Sequence, residues 1–198
     1  KVHRATRVSA SPKIDGDLSD EVWQQATPIT DYFQFQPIEG SVPDQKTSVR
    51  IIYDNSAIYI GCMMYDTAPD SILKEMGARD EEDINADYMR ICFDPYNKRQ
   101  DAYFFGIYAS GVQFDNKVSD ESFDAVWESE VKITAEGWIA EVKIPYSAIR
   151  FPKEPIQKWA FQLNRYVRRT RELTQWSKTP SQANNSKLYW GTLEGITD

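Results

Sequence analysis

The stretch TSVRIIYDNSAIYIGCMMY, residues 47–65, decides the fold because apolar side chains recur in it at every second position. In an extended chain this alternation places Val49 and Tyr53 on the same face. The polar residues 54–56 then supply turn chemistry, and residues 57–65 form a second alternating run. Two such runs joined by a short polar turn predict a β-hairpin.

Similar runs continue along the chain. They lie at residues 88–94, 102–108, 112–116, 129–134, 138–144, 159–168 and 188–193. Gly111 and Gly137 mark tight turns between neighbouring runs. Predicted helices are short and peripheral, at residues 20–26, 70–76 and 146–149. Strands at short spacing with few helices between them predict an all-β fold, an antiparallel two-sheet β-sandwich of immunoglobulin-like or jelly-roll-like type. We expect one such domain over residues 1–198.

The charge balance argues against a nucleic-acid partner, and the short apolar runs argue against a membrane-spanning helix. The chain carries 30 acidic and 23 basic side chains, a net charge of −7. An acidic surface repels phosphate backbones, so we expect no nucleic-acid partner. The longest uncharged apolar run, residues 57–65, is far shorter than the roughly 20 residues that a membrane-spanning helix needs. We therefore expect no transmembrane segment in this chain.

Catalytic motifs are missing from the sequence. The single histidine, His3, lies near the amino-terminal end of the chain, so a Ser-His-Asp or Cys-His arrangement has no suitable base. Carboxylate pairs that could hydrolyse glycosides are expected by accident in so acidic a chain. We predict that the domain is not an enzyme. Because axial ligands and phosphate-binding glycine motifs are also missing, we expect neither haem nor a nucleotide.

Two features stay open at this level. Cys62 and Cys92 both lie in apolar runs, so they form either a disulfide or two buried thiols. Calcium is a possible cofactor, because acidic side chains crowd residues 80–87 and 94–101. A solvated charged loop is the commoner explanation of such clusters.

Tryptophan 176 is the first candidate for ligand contact. Trp176 lies in the long polar stretch 169–186, next to Gln175 and Ser177. An exposed indole beside hydrogen-bonding groups suits a sugar ring, which stacks on the aromatic face while its hydroxyls meet the polar neighbours. The alternative is an apolar plug that holds the loop against the core. The basic cluster at residues 166–171 is predicted to be a strand edge protected by charge.

Ordered motifs over almost the whole chain resemble the carbohydrate-binding modules of family 9. They include IDGDL at 14–18, with Trp23, GWIAEVKIP at 137–145 and WGTL at 190–193. Three further motifs, SGVQFD at 110–115, VWES at 126–129 and IRFP at 149–152, resemble the amino-terminal domain of DUF5916 proteins. The resemblance implies a two-sheet β-sandwich, an exported protein of the cell envelope, outer surface or periplasm, and a β-rich region downstream of residue 198.

The sugar-binding members of that family hold a sugar between two tryptophans. The resemblance places Ile84 at the first tryptophan position, Arg90 at that of a ligand-binding glutamate, and Trp176 at the second tryptophan position. Exchange of a glutamate for arginine reverses the local charge, so either the ligand differs, for example an anionic glycan that contacts Arg90, or the sandwich has become a docking module.

We therefore predict a non-catalytic carbohydrate-binding-like module of a cell-envelope protein, with a poly- or oligosaccharide as ligand. Trp176 is the expected stacking platform, and Arg90, Asn85 and Gln175 are the expected polar contacts. The alternative is a protein-interaction or assembly domain that docks onto its own carboxyl-terminal region without binding sugar. The sugar hypothesis, as it stands, depends on an exposed Trp176.

Overall fold

A computed structural model describes residues 1–197, which form thirteen strands connected by loops and 3₁₀ turns. The strands are β1 (Val2–Arg4), β2 (Thr6–Arg7), β3 (Phe33–Gln36), β4 (Thr47–Tyr53), β5 (Ala57–Tyr65), β6 (Tyr88–Asp94), β7 (Tyr103–Tyr108), β8 (Gln113–Lys117), β9 (Glu128–Thr134), β10 (Gly137–Pro145), β11 (Ile156–Val167), β12 (Glu172–Gln175) and β13 (Gly191–Thr197). The 3₁₀ turns are Glu21–Gln25, Pro69–Ser71, Tyr146–Ala148 and Ser186–Tyr189.

The strands form two sheets that face each other. The larger sheet has eight strands in the order β1-β13-β11-β6-β7-β8, and the long strand β11 also pairs with β12, which pairs with β3. The smaller sheet has five strands in the order β2-β4-β5-β10-β9. Pairing is antiparallel except between β1 and β13 and between β2 and β4. The predicted β-sandwich is confirmed.

The predicted hairpin at residues 47–65 forms strands β4 and β5. Its register places Tyr53 opposite Ile58 and Val49 opposite Cys62. These side chains lie in the main core between the sheets, together with Trp138 and Phe161, which are fully buried. Burial of each large apolar side chain contributes about 1.5–3 kcal/mol to stability. The hairpin therefore packs in the core through the face that its alternation predicts.

Several local predictions are wrong. The run predicted as a strand at 188–193 begins in the 3₁₀ turn Ser186–Tyr189, and the strand is Gly191–Thr197. The helix predicted at 70–76 is only the 3₁₀ turn Pro69–Ser71, because Lys74 pairs with Ala86 as an isolated β-bridge. The polar stretch 169–186, whose composition predicts a long loop, instead contains strand β12, which pairs with β11 and β3.

The two cysteines are free thiols, both fully buried. Cys62 belongs to the core between the sheets, whereas Cys92 packs with Ala160 and Trp190 in a separate cluster. The disulfide that the sequence left open is therefore not formed. Within residues 1–197 no helix has the length and apolar character needed to cross a membrane.

Candidate functional site

The side chain of Trp176 is buried, so the predicted exposed platform is wrong. Only 2% of this residue is accessible, and its ring centroid lies 5.5 Å from that of Phe161 in the main core. The reason is the alternation of β12, which continues one residue beyond the strand. Thr174 and Trp176 point into the sandwich, whereas Gln175 points out and is half-buried. Polar neighbours in the sequence therefore lie on the opposite face from the indole.

Gln175 supports a loop rather than an open surface. Its Oε1 accepts a hydrogen bond from the backbone N–H of Thr179 at 3.2 Å. Beside it, Ser177 exchanges two backbone hydrogen bonds with the Gln162 side chain on β11, at 2.7 and 2.8 Å. The segment after Trp176 is thus fastened over part of the outer face of the larger sheet. Gln175 is not among the described residues that line the cleft formed around Arg90.

Arg90 lines an open cleft on the uncovered part of that outer face. The cleft has a volume of about 380 Å³. Arg90 and Tyr88 point into it from β6, while the intervening Met89 points into the main core. Asn85 lies at its margin, where its Oδ1 accepts a hydrogen bond from Nε of Arg168 at 3.2 Å. Two of the four predicted contact residues are therefore close to one site.

Aromatic rings form the floor of this cleft. Strand register places Tyr88 between Tyr166 of β11 and Tyr108 of β7. The Tyr88 centroid is 5.3 Å from that of Tyr166, with the rings inclined at 32°, and 5.7 Å from that of Phe114. Phe114 covers Gly106, and a Cβ at position 106 would overlap its ring. Rings packed in this way present a rigid apolar surface to the cleft.

Two arginines flank the tyrosines. The guanidinium carbon of Arg90 lies 5.2 Å from the centroid of Phe104, and its buried Nε has no hydrogen-bond partner within residues 1–197. The guanidinium of Arg168 lies 5.9 Å from the centroid of Tyr166. Both side chains are stacked on aromatic rings, a contact that restrains a guanidinium while leaving its N–H groups available.

An acidic loop forms the opposite wall. Tyr108 donates a hydrogen bond from its hydroxyl to the backbone oxygen of Glu81 at 3.3 Å, and the backbone N–H of Asp115 donates to Oδ1 of Asp80 at 2.8 Å. Ile84, which occupies the first tryptophan position of the family resemblance, is 5% exposed beneath this loop. It offers no stacking surface.

Calcium gains no support from the geometry. Among residues 1–197, no three histidine, cysteine, aspartate or glutamate side chains are grouped so that they could hold a metal ion. In the loop at 94–101, Oδ2 of Asp94 accepts from the backbone N–H of Arg99 at 2.6 Å, and Asp101 accepts from Ser119 at 2.8 Å. These carboxylates are satisfied by neighbouring donors of the protein.

A buried charged cluster lies directly behind the cleft. Oδ1 of Asp87 accepts a hydrogen bond from the backbone N–H of Arg168 at 2.9 Å, whereas its Oδ2 is buried and has no partner among residues 1–197. Arg165 on β11 is 1% exposed, and Arg169 forms a two-pronged ion pair with Asp66 at 2.6 and 2.7 Å. Asp87 thus connects this cluster to the strand that carries Tyr88.

The pKa of Asp87 yields a prediction about stability. Burial raises the pKa of this carboxyl from 3.8 to about 6, against the opposing effects of the Arg168 N–H and the Arg165 charge. The folded state therefore binds the proton more tightly than the unfolded chain does. The bound proton of Asp87 therefore contributes fully to the free energy of unfolding below about pH 4, and this contribution is lost as the pH rises to about 6. The loss is up to about 3 kcal/mol, at about 1.4 kcal/mol for each pKa unit.

The variant Asp87→Asn is expected to remove this dependence, because an amide does not titrate and still accepts the Arg168 hydrogen bond. Urea unfolding of both proteins at several pH values between 4 and 7 measures the difference. A constant difference across this range would contradict the assignment of the titration to Asp87.

Sequence reasoning missed Tyr88, Tyr166 and Arg168 as site residues. The sequence did indicate Tyr88, since Tyr88 and Arg90 share one face of the predicted run 88–94. Nothing in a single sequence, however, gives the register that brings Tyr166 opposite Tyr88. The basic cluster at 166–171 is not one charged edge, because Arg168 faces the cleft and Arg169 binds Asp66.

Comparison with known proteins places the chain among carbohydrate-binding folds. A family model described as carbohydrate family 9 binding domain-like matches residues 14–195. A search of curated proteins finds no match.

Solved structures resemble the chain over nearly its full length. A family 9 module from Caldicellulosiruptor kristjanssonii in complex with glucose is 17% identical, with a TM-score of 0.67, and covers 100% of this chain and 98% of its own. Its complex with cellotriose gives 17% identity, a TM-score of 0.65 and coverage of 100% and 96%. A Bacteroides uniformis protein described as carbohydrate-binding is 12% identical, with a TM-score of 0.74 and 98% coverage of both chains. At these identities the likeness shows the fold.

Proposed function

The chain belongs to the carbohydrate family 9 binding domain-like family, and we propose that it binds a poly- or oligosaccharide in the cleft of the larger sheet. The observation that carries this proposal is the row of Tyr166, Tyr88 and Tyr108, flanked by Arg90 and Arg168. Sugar rings stack on aromatic faces through their C–H groups, and their hydroxyls bond to charged and polar side chains at the edge.

The dimensions and chemistry of the cleft suit such a ligand. Its volume of about 380 Å³ lies within the range of about 300–1,000 Å³ that is typical of small-molecule sites. Arginine N–H groups on one side donate hydrogen bonds, and the carboxylates of Glu82 and Asp83 on the other side accept them. The related modules from Caldicellulosiruptor kristjanssonii are in complex with glucose and cellotriose, which supports a saccharide as the ligand class.

Tyrosine 166 provides the test of stacking. Tyr166→Ala is expected to weaken saccharide binding about tenfold or more, since stacking on an aromatic ring contributes about 1–3 kcal/mol by analogy with nucleic-acid bases. Tyr166→Phe keeps the ring and is expected to retain most of the affinity. Isothermal titration calorimetry against a panel of neutral and acidic oligosaccharides measures both.

Tyr96→Ala is the matched control, because Tyr96 is 51% exposed and lies outside the cleft. Circular dichroism establishes that each variant is folded. Equal saccharide affinity of wild type and a folded Tyr166→Ala protein would contradict the site, and failure of the whole panel to bind would contradict the function.

We further propose that the domain is non-catalytic and works as one part of an exported cell-envelope protein, related to the amino-terminal domain of DUF5916 proteins. The single histidine supports the absence of catalysis, since His3 lies on β1 outside the cleft. Fractionation of cells that express the full-length protein tests the location. Recovery in the cytoplasm would contradict it.

A second candidate is a docking domain for its own carboxyl-terminal region. Burial of Trp176 and Ile84 favours it, because neither position supplies a stacking wall. Co-purification of the domain with a separately expressed downstream region tests this candidate. Stable association together with no saccharide binding would favour docking over the cleft proposal.

A further inference from the structure

We infer that the saccharide taken by the cleft is an acidic oligosaccharide, whose carboxylates bind Arg90 and Arg168 on either side of the ring that rests on Tyr88 and Tyr166. This inference rests on the proposed function and adds the ligand's charge. It is carried by two guanidinium groups that face the cleft and have no acidic partner in the described part of the chain.

The pairing state of these arginines sets them apart. Arg79, next to the cleft, is bound to Asp115, and Arg169 is bound to Asp66 at 2.6 Å. Within residues 1–197, by contrast, neither Arg90 nor Arg168 has a carboxylate oxygen within 4.0 Å. A guanidinium that is held by an aromatic ring and has no acidic partner is suited to a carboxylate, which it binds by two parallel N–H···O bonds.

Positive and negative charges occupy different sides of the cleft. Burial raises the pKa of the Tyr88 phenol, and the nearby charges of Arg90 and Arg168 oppose this rise. Burial also raises the pKa of the Tyr108 phenol, where the charges of Asp83 and Glu82 add to the rise. The half formed by β6 and β11 is therefore positive, and the half beside the acidic loop is negative.

This separation orients an acidic sugar. Tyr88 lies two residues before Arg90 on β6, and its partner Tyr166 lies two residues before Arg168. Side chains two residues apart share one face of a strand, and the antiparallel pairing places the two arginines on opposite sides of the tyrosine row. A ring stacked on that row meets an arginine on either side. Its hydroxyls extend to Glu82 and Asp83, which accept hydrogen bonds.

Matched ligand pairs test this inference. A β-1,4-linked triglucuronate is compared with cellotriose, and an α-1,4-linked trigalacturonate with its methyl ester, by calorimetry at low and high sodium chloride. The acidic member is expected to bind at least tenfold more tightly, with an affinity that falls as salt rises. Arg90→Gln and Arg168→Gln are each expected to reduce the acidic preference at least fivefold. Arg150→Gln, an exposed arginine outside the cleft, is the matched control and keeps it.

The outcomes separate the two proposals. If the neutral members bind as tightly as the acidic ones, the inference is overturned and the proposed function stands. If no member of either pair binds, both are overturned for these saccharides. If the acidic preference survives in folded Arg90→Gln and Arg168→Gln proteins, the assignment to these arginines is overturned.

Discussion

Replacement of Trp176 by alanine is expected to lower the free energy of unfolding by about 3–5 kcal/mol, the usual cost of removing a large buried aromatic ring. The ring packs against Phe161, and Gly191 leaves space for it, since a Cβ there would overlap the indole. The role of Trp176 is therefore to hold the end of β12 in the core. Chemical denaturation monitored by circular dichroism measures the change.

Trp176→Phe serves as the milder comparison, because it retains a ring and loses less contact area. The exposed-site variant Tyr96→Ala is expected to change stability by less than about 0.5 kcal/mol. A folded Trp176→Ala protein of unchanged stability that no longer binds saccharide would contradict a structural role and restore the stacking role.

Replacement of Arg165 by methionine is expected to be equally costly, about 3–5 kcal/mol, because it removes the charge from a buried ionic cluster. The Arg165 guanidinium donates to the backbone oxygens of Lys46 at 2.8 Å and Tyr65 at 2.7 Å, which ties the larger sheet to the smaller one. Its charge also faces the carboxyls of Asp87 and Glu172. A methionine side chain is similar in length to that of arginine, but it donates no hydrogen bond to these backbone oxygens and carries no charge to face these carboxyls.

Lys158→Met is the matched control for this substitution, since Lys158 is an exposed basic residue on the same strand. It is expected to leave the free energy of unfolding nearly unchanged. Equal effects of the two substitutions in urea unfolding would show that the charge of Arg165 does not support the fold.

The alternation of residues was sufficient to predict most strands. The run 47–53 alternates because one face lies in the main core, and the same cause fixes its register. Strand β5 is buried on both faces, since Ala57 and Tyr59 pack with Trp23 in a second cluster. Strand β12 was missed, since its four residues Glu172–Gln175 are largely polar and the strand is short, although it pairs with β11 on one side and β3 on the other. Polar side chains such as Glu172 and Arg165 are buried here because groups distant in the chain bond to them. Arg165 donates to the backbone oxygens of Lys46 and Tyr65, and Glu172 accepts from Gln34, which are contacts that a sequence does not display.

The candidate site was predicted in part. Arg90 was identified through the family resemblance and does line the cleft, and Asn85 lies beside it in contact with Arg168. Trp176 was misjudged because its polar neighbours in the chain were taken as its neighbours in space. The tyrosine row depends on pairing between β11, β6 and β7, which is long-range information.

The central claim is that the tyrosine cleft binds the saccharide. Its most direct test is a heteronuclear NMR titration of the ¹⁵N-labelled protein with the saccharide that binds most tightly in the panel. We predict the largest amide shifts in residues 80–90, 106–114 and 164–168. Shifts confined to other surfaces, such as residues 30–48, at saturating ligand would contradict the claim.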